Sequence, residues 1–289
     1  MTYALCIGDR AYSSWSLRGW LLLEAFGLEF RQTRTRFYEP GFAQTLSEWH
    51  PARTVPALRL PEGIVIADSL AIAEELATRH PDAGHWPQDP KARAIARALT
   101  AEMHSSFTAL RSDCPMNLRV SYQDSAPSQA VLEDLARLET LWDWARAQTG
   151  STTDWLCGDY CAVDAFFAPV AARISGYNLP ISQSAQAYVD AHLAHPDFRR
   201  WRAMGLVDGA DQPFYDRDYA TRTWPGPTPL TAEPCDGPSI NTKCPYSGQP
   251  VTHFLRLNGM VLGFCNAFCR DKTLADPQAW PAAMALLQP

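Results

Sequence analysis

The pattern of apolar and polar positions changes period several times within the first 80 residues. Ala4-Leu5-Cys6-Ile7 is a short, continuous apolar run of strand length. The spacing then predicts a helix from Ser13 to Phe26, with Leu17, Trp20, Leu21 and Leu23 on a broad apolar face. Glu29 to Arg34 reads as a second, partly exposed strand. Thr54 to Leu60 reads as a third and Ile64 to Ile66 as a fourth, joined by the turn residues Pro61-Glu62-Gly63. Asp68-Ser69 opens a helix to about Thr78, with Leu70, Ile72, Ala73 and Leu76 on one side. The expected order is βαβ followed by ββα.

A linker rich in proline follows (80–84 and 87–90), and beyond it the pattern is helical throughout. Lys91–Leu110, Ser128–Ala147, Asp164–Ile174, Ser182–Ala194 and Pro196–Met204 each fit a helix. Pro225, Pro227, Pro229, Pro234 and Pro238 mark a second, extended linker, since proline fixes its own φ and biases the residue before it. In the tail, Asn258-Gly259 between two apolar runs is a hairpin signal. Three segments result: 1–80, 88–222 and 234–289.

The chain of 289 residues is 46% hydrophobic, enough for two modest domains and a small appendage. A net charge of −6 argues against a nucleic-acid partner, which calls for a basic face to replace phosphate counterions. No apolar run approaches the roughly 18 residues of a membrane span, and the first residues show no basic leader. A cytoplasmic protein is therefore expected. Eight cysteines divide unevenly: Cys6, Cys114, Cys157 and Cys161 are scattered, while Cys235, Cys244, Cys265 and Cys269 crowd into the tail. Without a leader, this reads as reduced thiols and a metal site rather than a disulfide frame.

Three places in the first segment carry candidate chemistry. Ser13 and Ser14 stand where the first strand meets the first helix, near the positive end of its dipole; helix capping and thiolate stabilisation are both open to them. Val55-Pro56 begins a strand with a proline that a cis peptide would suit. Asp68-Ser69 places a carboxylate and a hydroxyl at another helix start. In this order and spacing, the three sites resemble the N-terminal domain of glutathione transferases. The segment Ser13-Ser14-Trp15-Ser16-Leu17-Arg18 is similar to the Ser-Ser-Cys-x-x-Arg segment of the zeta class.

The resemblance covers roughly residues 1 to 220. It implies a thioredoxin-like fold for 1–80 and an all-helical domain for 88–222. It also implies a homodimer, with glutathione as co-substrate and a small electrophile as substrate. Carried over by position, Ser13 stabilises the glutathione thiolate and Ser14 supports it. Val55 and Pro56 hold the cysteinyl backbone, Asp68 and Ser69 the γ-glutamyl group, and Arg53 and Thr54 lie at the glycyl end. The chemistry is sound: a free thiol ionises near pH 8.5, and a hydroxyl donor at a helix N-terminus favours the anion, which is the nucleophile. Gly158 to Asp164 resembles the capping box of the second domain, with Cys161 at the cap and Asp164 in a structural role. Residues 102–104 and 113–119, with Tyr122, are polar or adaptable enough to line the electrophile pocket.

The tail spacing Cys244-x20-Cys265-x3-Cys269, with Gly263-Phe264 before Cys265, resembles the small YHS/TRASH type of metal-associated module. A helix starting there would set Cys265 and Cys269 on one face, and the hairpin would bring Cys244 beside them. Three thiolates suit a soft or borderline cation, zinc first, with Cys235, His253 and Asp271 as candidates for a fourth ligand. The expected fold is thus α/β plus all-α with a C-terminal hairpin and helix of metal type. The expected activity is that of a glutathione transferase. The alternatives are a non-catalytic glutathione- or metal-binding protein and a zeta-type isomerase. Against the last stands Trp15, where the zeta class has its cysteine.

Overall fold

Leu5, Cys6 and Ile7 have no exposed surface, as befits an apolar strand flanked by neighbours on both sides. In the computed structural model, which describes residues 2–288, they lie in β1 (Tyr3–Ile7). The outermost residues of the first and last expected segments fall outside that range. There follow α1 (Ser14–Glu24), β2 (Phe30–Arg34), α2 (Gly41–Ser47), β3 (Ala57–Arg59), β4 (Val65–Ile66) and α3 (Ser69–Arg79). The sheet order is β2-β1-β3-β4. β1 runs parallel to β2, with Leu5 beside Gln32, and antiparallel to β3, with Leu5 beside Leu58. β2 alternates between half-buried and exposed residues, the pattern of an edge strand wetted on one face.

Two departures from the expected order stand out here. α2 was not foreseen, because Leu46 is its one buried residue and no helical stripe marks it. Phe42 and Leu46 pin it to a cluster with Cys6, Trp49, Val55 and Ala57. The expected strand from Thr54 contracts to Ala57–Arg59, since Pro56 has no N–H to give a ladder.

The helical part comprises α4 (Pro90–Ser105), α5 (Thr108–Asp113), α6 (Gln129–Thr149), α7 (Ala162–Tyr177) and α8 (Gln183–Ala194). It also holds a two-stranded ribbon of β5 (Ser121–Tyr122) and β6 (Thr221–Arg222) that no sequence pattern marked. α4 starts as its sequence dictates, with Asp89 accepting from the Ala92 N–H and Pro90 in the first turn. The single helix expected over Lys91–Leu110 is broken at Phe107, which has φ 60°. Its ring is buried, and that burial offsets a backbone conformation costly for a non-glycine residue. α7 is buried along its whole length and packs on α1 and α4.

The chain divides into two compact units: residues up to Leu193 with Gln212–Pro225, and Ala194–Asp211 with the chain from Gly226 on. The sequence placed Pro196–Met204 in the helical segment 88–222. In the structure this stretch is α9 (Pro196–Val207), and it belongs with the C-terminal elements. Arg199 forks onto the buried Asp276 carboxylate with bonds of 2.8 and 2.7 Å, a pairing across 77 residues that no local pattern reveals. The rest of the second unit is β7 (Ala232–Cys235), β8 (His253–Leu257), β9 (Met260–Phe264), α10 (Ala267–Ala275) and α11 (Pro281–Met284). α10 packs on α9.

β7, β8 and β9 form an antiparallel meander. Asn258 and Gly259 have φ of 51° and 77°, the two positive values that a tight hairpin turn requires. β7 straddles the expected boundary between the proline-marked linker and the segment from residue 234. Pro234 pairs opposite Leu255 on an edge strand, where a missing N–H is tolerated. Leu255, Leu257, Leu262 and Phe264 form the core of this sheet. No helix among the described residues is long and apolar enough to cross a membrane.

Asp164 caps α7. Its carboxylate accepts from the Cys161 N–H at 2.9 Å and the Tyr188 hydroxyl at 2.7 Å, and is fully buried. Asp164→Ala leaves both donors unpaired and is expected to cost about 3 kcal/mol in denaturant unfolding. Burial raises this carboxyl from 3.8 to about 6, against the pull of its hydrogen bonds. Its contribution to stability is therefore full below the lower value and is lost as pH rises through the higher one. Asp164→Asn should remove that slope from the pH dependence of the unfolding midpoint.

Candidate functional site

In the first unit, a cleft of about 410 Å³ opens where α1, the approach to β3 and the start of α3 converge. Ser13, Arg53, Thr54, Val55, Pro56, Asp68 and Ser69 all line it, together with Trp15, Phe37, Phe42 and Ala67. Of the residues proposed for glutathione, Ser14 alone is not on the wall. Its hydroxyl donates to the Met116 sulfur at 3.7 Å.

Each wall residue is placed by a local rule. Ser13 is the N-cap of α1: its oxygen accepts from the Ser16 N–H at 3.3 Å while its proton goes to the Ser16 hydroxyl at 2.7 Å. Ser16 in turn accepts from the Gly8 N–H at 2.9 Å, which ties the cap to the end of β1. The Val55–Pro56 peptide is cis. The paired register of β3 begins at Ala57, so both residues stand outside the ladder and face the cleft. Asp68 caps α3, with Oδ1 accepting from Leu70 and Ala71 at 2.8 and 3.0 Å. Its Oδ2 lies 3.1 Å from His104 Nε2, which links the cap to α4. Ser69 is fully buried, and its hydroxyl has no hydrogen-bond partner among the described residues. Such a group is costly to leave unpaired and fits a site that a polar ligand completes.

Sequence reasoning missed the aromatic part of the wall. Phe37 lies in a loop whose N–H is held by Asp9 at 2.8 Å, and Phe42 belongs to the unforeseen α2. It also missed a group of arginines behind Trp15. Arg18 and Arg111 lie 5.6 and 4.5 Å from the centre of the Trp15 ring. Burial, followed by the charges of Arg173 and Arg111, brings Arg18 down to about 9. Burial and then Arg111 bring Arg173 down to about 10. All three remain cationic at neutral pH, so the region behind Trp15 is electropositive. The arginine of the quoted Ser-Ser-Trp-Ser-Leu-Arg segment was the one available sign.

The second unit brings the tail thiols together. The sulfurs of Cys244, Cys265 and Cys269 lie within 4.8 Å of one another. The expected helix face is only half right, because α10 starts at Ala267 with Asn266 as its cap. Cys265 therefore precedes the helix and Cys269 lies in its first turn. The two sulfurs are still 3.9 Å apart. Cys244 sits in a tight loop closed by the Gly248 N–H on its carbonyl. Burial pushes its thiol up, but the N–H groups of Cys265, Tyr246 and Ser247 outweigh that and bring it to about 7. Cys269 is pushed up to about 12, by burial first, against the pull of Lys272. Three sulfurs at this spacing form a donor set that a tetrahedral or trigonal cation fits. The proposed fourth ligands Cys235, His253 and Asp271 do not join the group among the described residues.

These arrangements define a polar-rimmed cleft on a thioredoxin-like first unit. Comparison with known proteins agrees. Residues 12–79 match the family model for the glutathione S-transferase N-terminal domain. A probable maleylacetoacetate isomerase of Caenorhabditis elegans is 32% identical over 136 residues, which are 46% of this chain and 62% of that protein. The maleylacetoacetate isomerase of Rattus norvegicus is 32% identical over 105 residues, 35% of this chain and 47% of that protein. The chain thus aligns with less than two thirds of the length of each. Among solved structures, a glutathione transferase homologue from Burkholderia with bound glutathione superposes with a TM-score of 0.55 at 22% identity, covering 72% of this chain and 100% of that one. A diazinon-metabolizing glutathione S-transferase of the silkworm Bombyx mori gives 0.55 at 18%, covering 72% and 99%. The fold is the one these transferases share.

The cluster geometry makes a direct prediction. With no cation added, an ultraviolet thiolate titration should show one group ionising near pH 7. Cys244→Ala should remove that step.

Proposed function

We propose that the first unit binds glutathione and activates its thiol for attack on a small electrophile. The observation that carries this reading is the cleft itself: seven residues from three separate stretches of sequence share one wall. The Ser69 hydroxyl, which has no partner among the described residues, would bind the γ-glutamyl carboxylate, beside the α3 cap made by Asp68. The main chain at Val55 would pair with the cysteinyl residue, and Arg53 and Thr54, both exposed, would meet the glycyl carboxylate. The Ser13 hydroxyl would rotate away from Ser16 to donate to the sulfur. That exchange favours the thiolate, because a hydrogen bond to an anion is stronger than one between neutral hydroxyls. Ser14, turned toward Met116, would act through the shape of the helix start. No general base is required, since the substrate brings its own ionisable thiol.

Arg18 and Arg111 beside Trp15 favour an electrophile that carries negative charge. The isomerase relatives make a zeta-type isomerisation the second reading, and Trp15 at the zeta cysteine position weighs against it. A homodimer in the cytoplasm belongs to the same proposal.

For the second unit, we propose that Cys244, Cys265 and Cys269 bind a divalent cation, zinc first, which helps to fold it. A segment this small gains little from its core alone, and three converging thiolates supply what the core lacks.

The test of the first reading is the thiolate absorbance of glutathione added to the protein. The bound thiol should ionise below its free value of about 8.5. Ser13→Ala should raise that midpoint by about one to two units, the equivalent of losing a charge-assisted hydrogen bond. An unchanged midpoint would reduce Ser13 to a helix cap.

A further inference from the structure

The thiol cluster offers three donors where zinc takes four. The residues that sequence offered for the fourth place are engaged elsewhere. The His253 Nδ1 pairs with the Thr252 hydroxyl at 2.9 Å. Asp271 pairs with Arg270 at 2.7 Å. Cys235 lies in β7 opposite Phe254. Among the described residues, no further His, Cys, Asp or Glu donor joins the group.

Burial shows on which side the gap lies. Cys244 and Cys269 are buried, whereas Cys265 is partly exposed. The Ser247 hydroxyl and the Asn266 amide, both near the surface, donate to the Cys265 sulfur at 3.2 and 3.3 Å. These polar groups surround the exposed sulfur with donors that a peptide-like molecule can also use. A closed structural zinc site fills all four positions from protein, while a site that exchanges ligands keeps one free.

The charge balance limits what can enter. Three thiolates and a divalent cation sum to −1. The Lys272 ammonium stands 4.0 Å from the Tyr246 ring centre and 3.9 Å from that of Trp280, one helical turn from Cys269, and adds +1 to the neighbourhood. With that charge close by, a fourth thiolate leaves the surroundings at −1 rather than −2. A soft donor also matches the three already present.

We infer that the cation held by Cys244, Cys265 and Cys269 keeps its fourth position open beside Cys265, and that this position takes an external thiolate such as that of glutathione. The inference rests on the cation reading proposed above. The exchange involves no oxidation: the entering thiol gives its proton to bulk water, and its sulfur takes the place of a water molecule.

The experiment is cobalt(II) substitution of the full-length protein, read by visible and near-ultraviolet absorption. Cobalt should give tetrahedral ligand-field bands with the sulfur charge-transfer intensity of three thiolates, lost in Cys265→Ala. Adding glutathione, or 2-mercaptoethanol as a thiol without a peptide, should shift the bands and raise the intensity to that of four. His253→Ala and Cys235→Ser should leave the thiol-free spectrum unchanged. Uptake with bands blind to both thiols, or altered by either of those two variants, would overturn the open position while leaving the cation reading intact. No uptake of cobalt would overturn both. A response to 2-mercaptoethanol as large as that to glutathione supports a general thiol site, and a much tighter response to glutathione supports recognition of its peptide through Ser247 and Asn266.

Discussion

Helix α1 is surrounded by protein for nearly all of its length, and the cleft depends on that enclosure. A helix enclosed in this way cannot satisfy its first N–H groups with bulk water, so it needs a cap from its own chain. Ser13 provides it, and the Ser13–Ser16–Gly8 hydrogen bonds fasten the helix start to the end of the buried strand β1. The consequence is chemical as well as structural. The start of α1, where the helix dipole is positive, borders the cleft through Ser13 and Trp15. α3 repeats the arrangement with Asp68. Two capped helix starts and the Val55–Pro56 turn together make the concave wall of the cleft.

The second unit solves a different problem with similar means. Its sheet supplies only a small apolar core, and its thiols sit where main-chain N–H groups converge. The tight loop at Cys244 turns successive N–H groups toward one sulfur, and the Asn266 cap holds Cys269 at the start of α10. Donors aimed at a sulfur stabilise its anion whether or not a cation is bound. Lys272, flanked by aromatic rings, adds a positive charge beside Cys269.

Much of this was legible in the sequence, and the reasons are local. The apolar run Ala4–Ile7, the caps Ser13 and Asp68, the proline at position 56 and the Asn258-Gly259 turn each act over a few residues. Period, capping and turn chemistry announce them without reference to the rest of the chain. The same is true of the seven wall residues, whose places follow from those elements. Ser14 went the other way, because the direction of its side chain depends on Met116, 102 residues along.

The sequence by itself determined the element types, the capped helix starts, the hairpin and the short list of residues with the right chemistry. These follow from forces that act between near neighbours. Only the tertiary structure decided that helix 91–110 breaks at Phe107, that α2 forms, that α9 joins the C-terminal unit and that Arg18 and Arg111 meet at Trp15. It also decided that the tail offers three sulfur donors and not four. Each of these turns on burial or charge pairing between residues far apart in sequence, and such terms become visible only once the chain has brought the partners together.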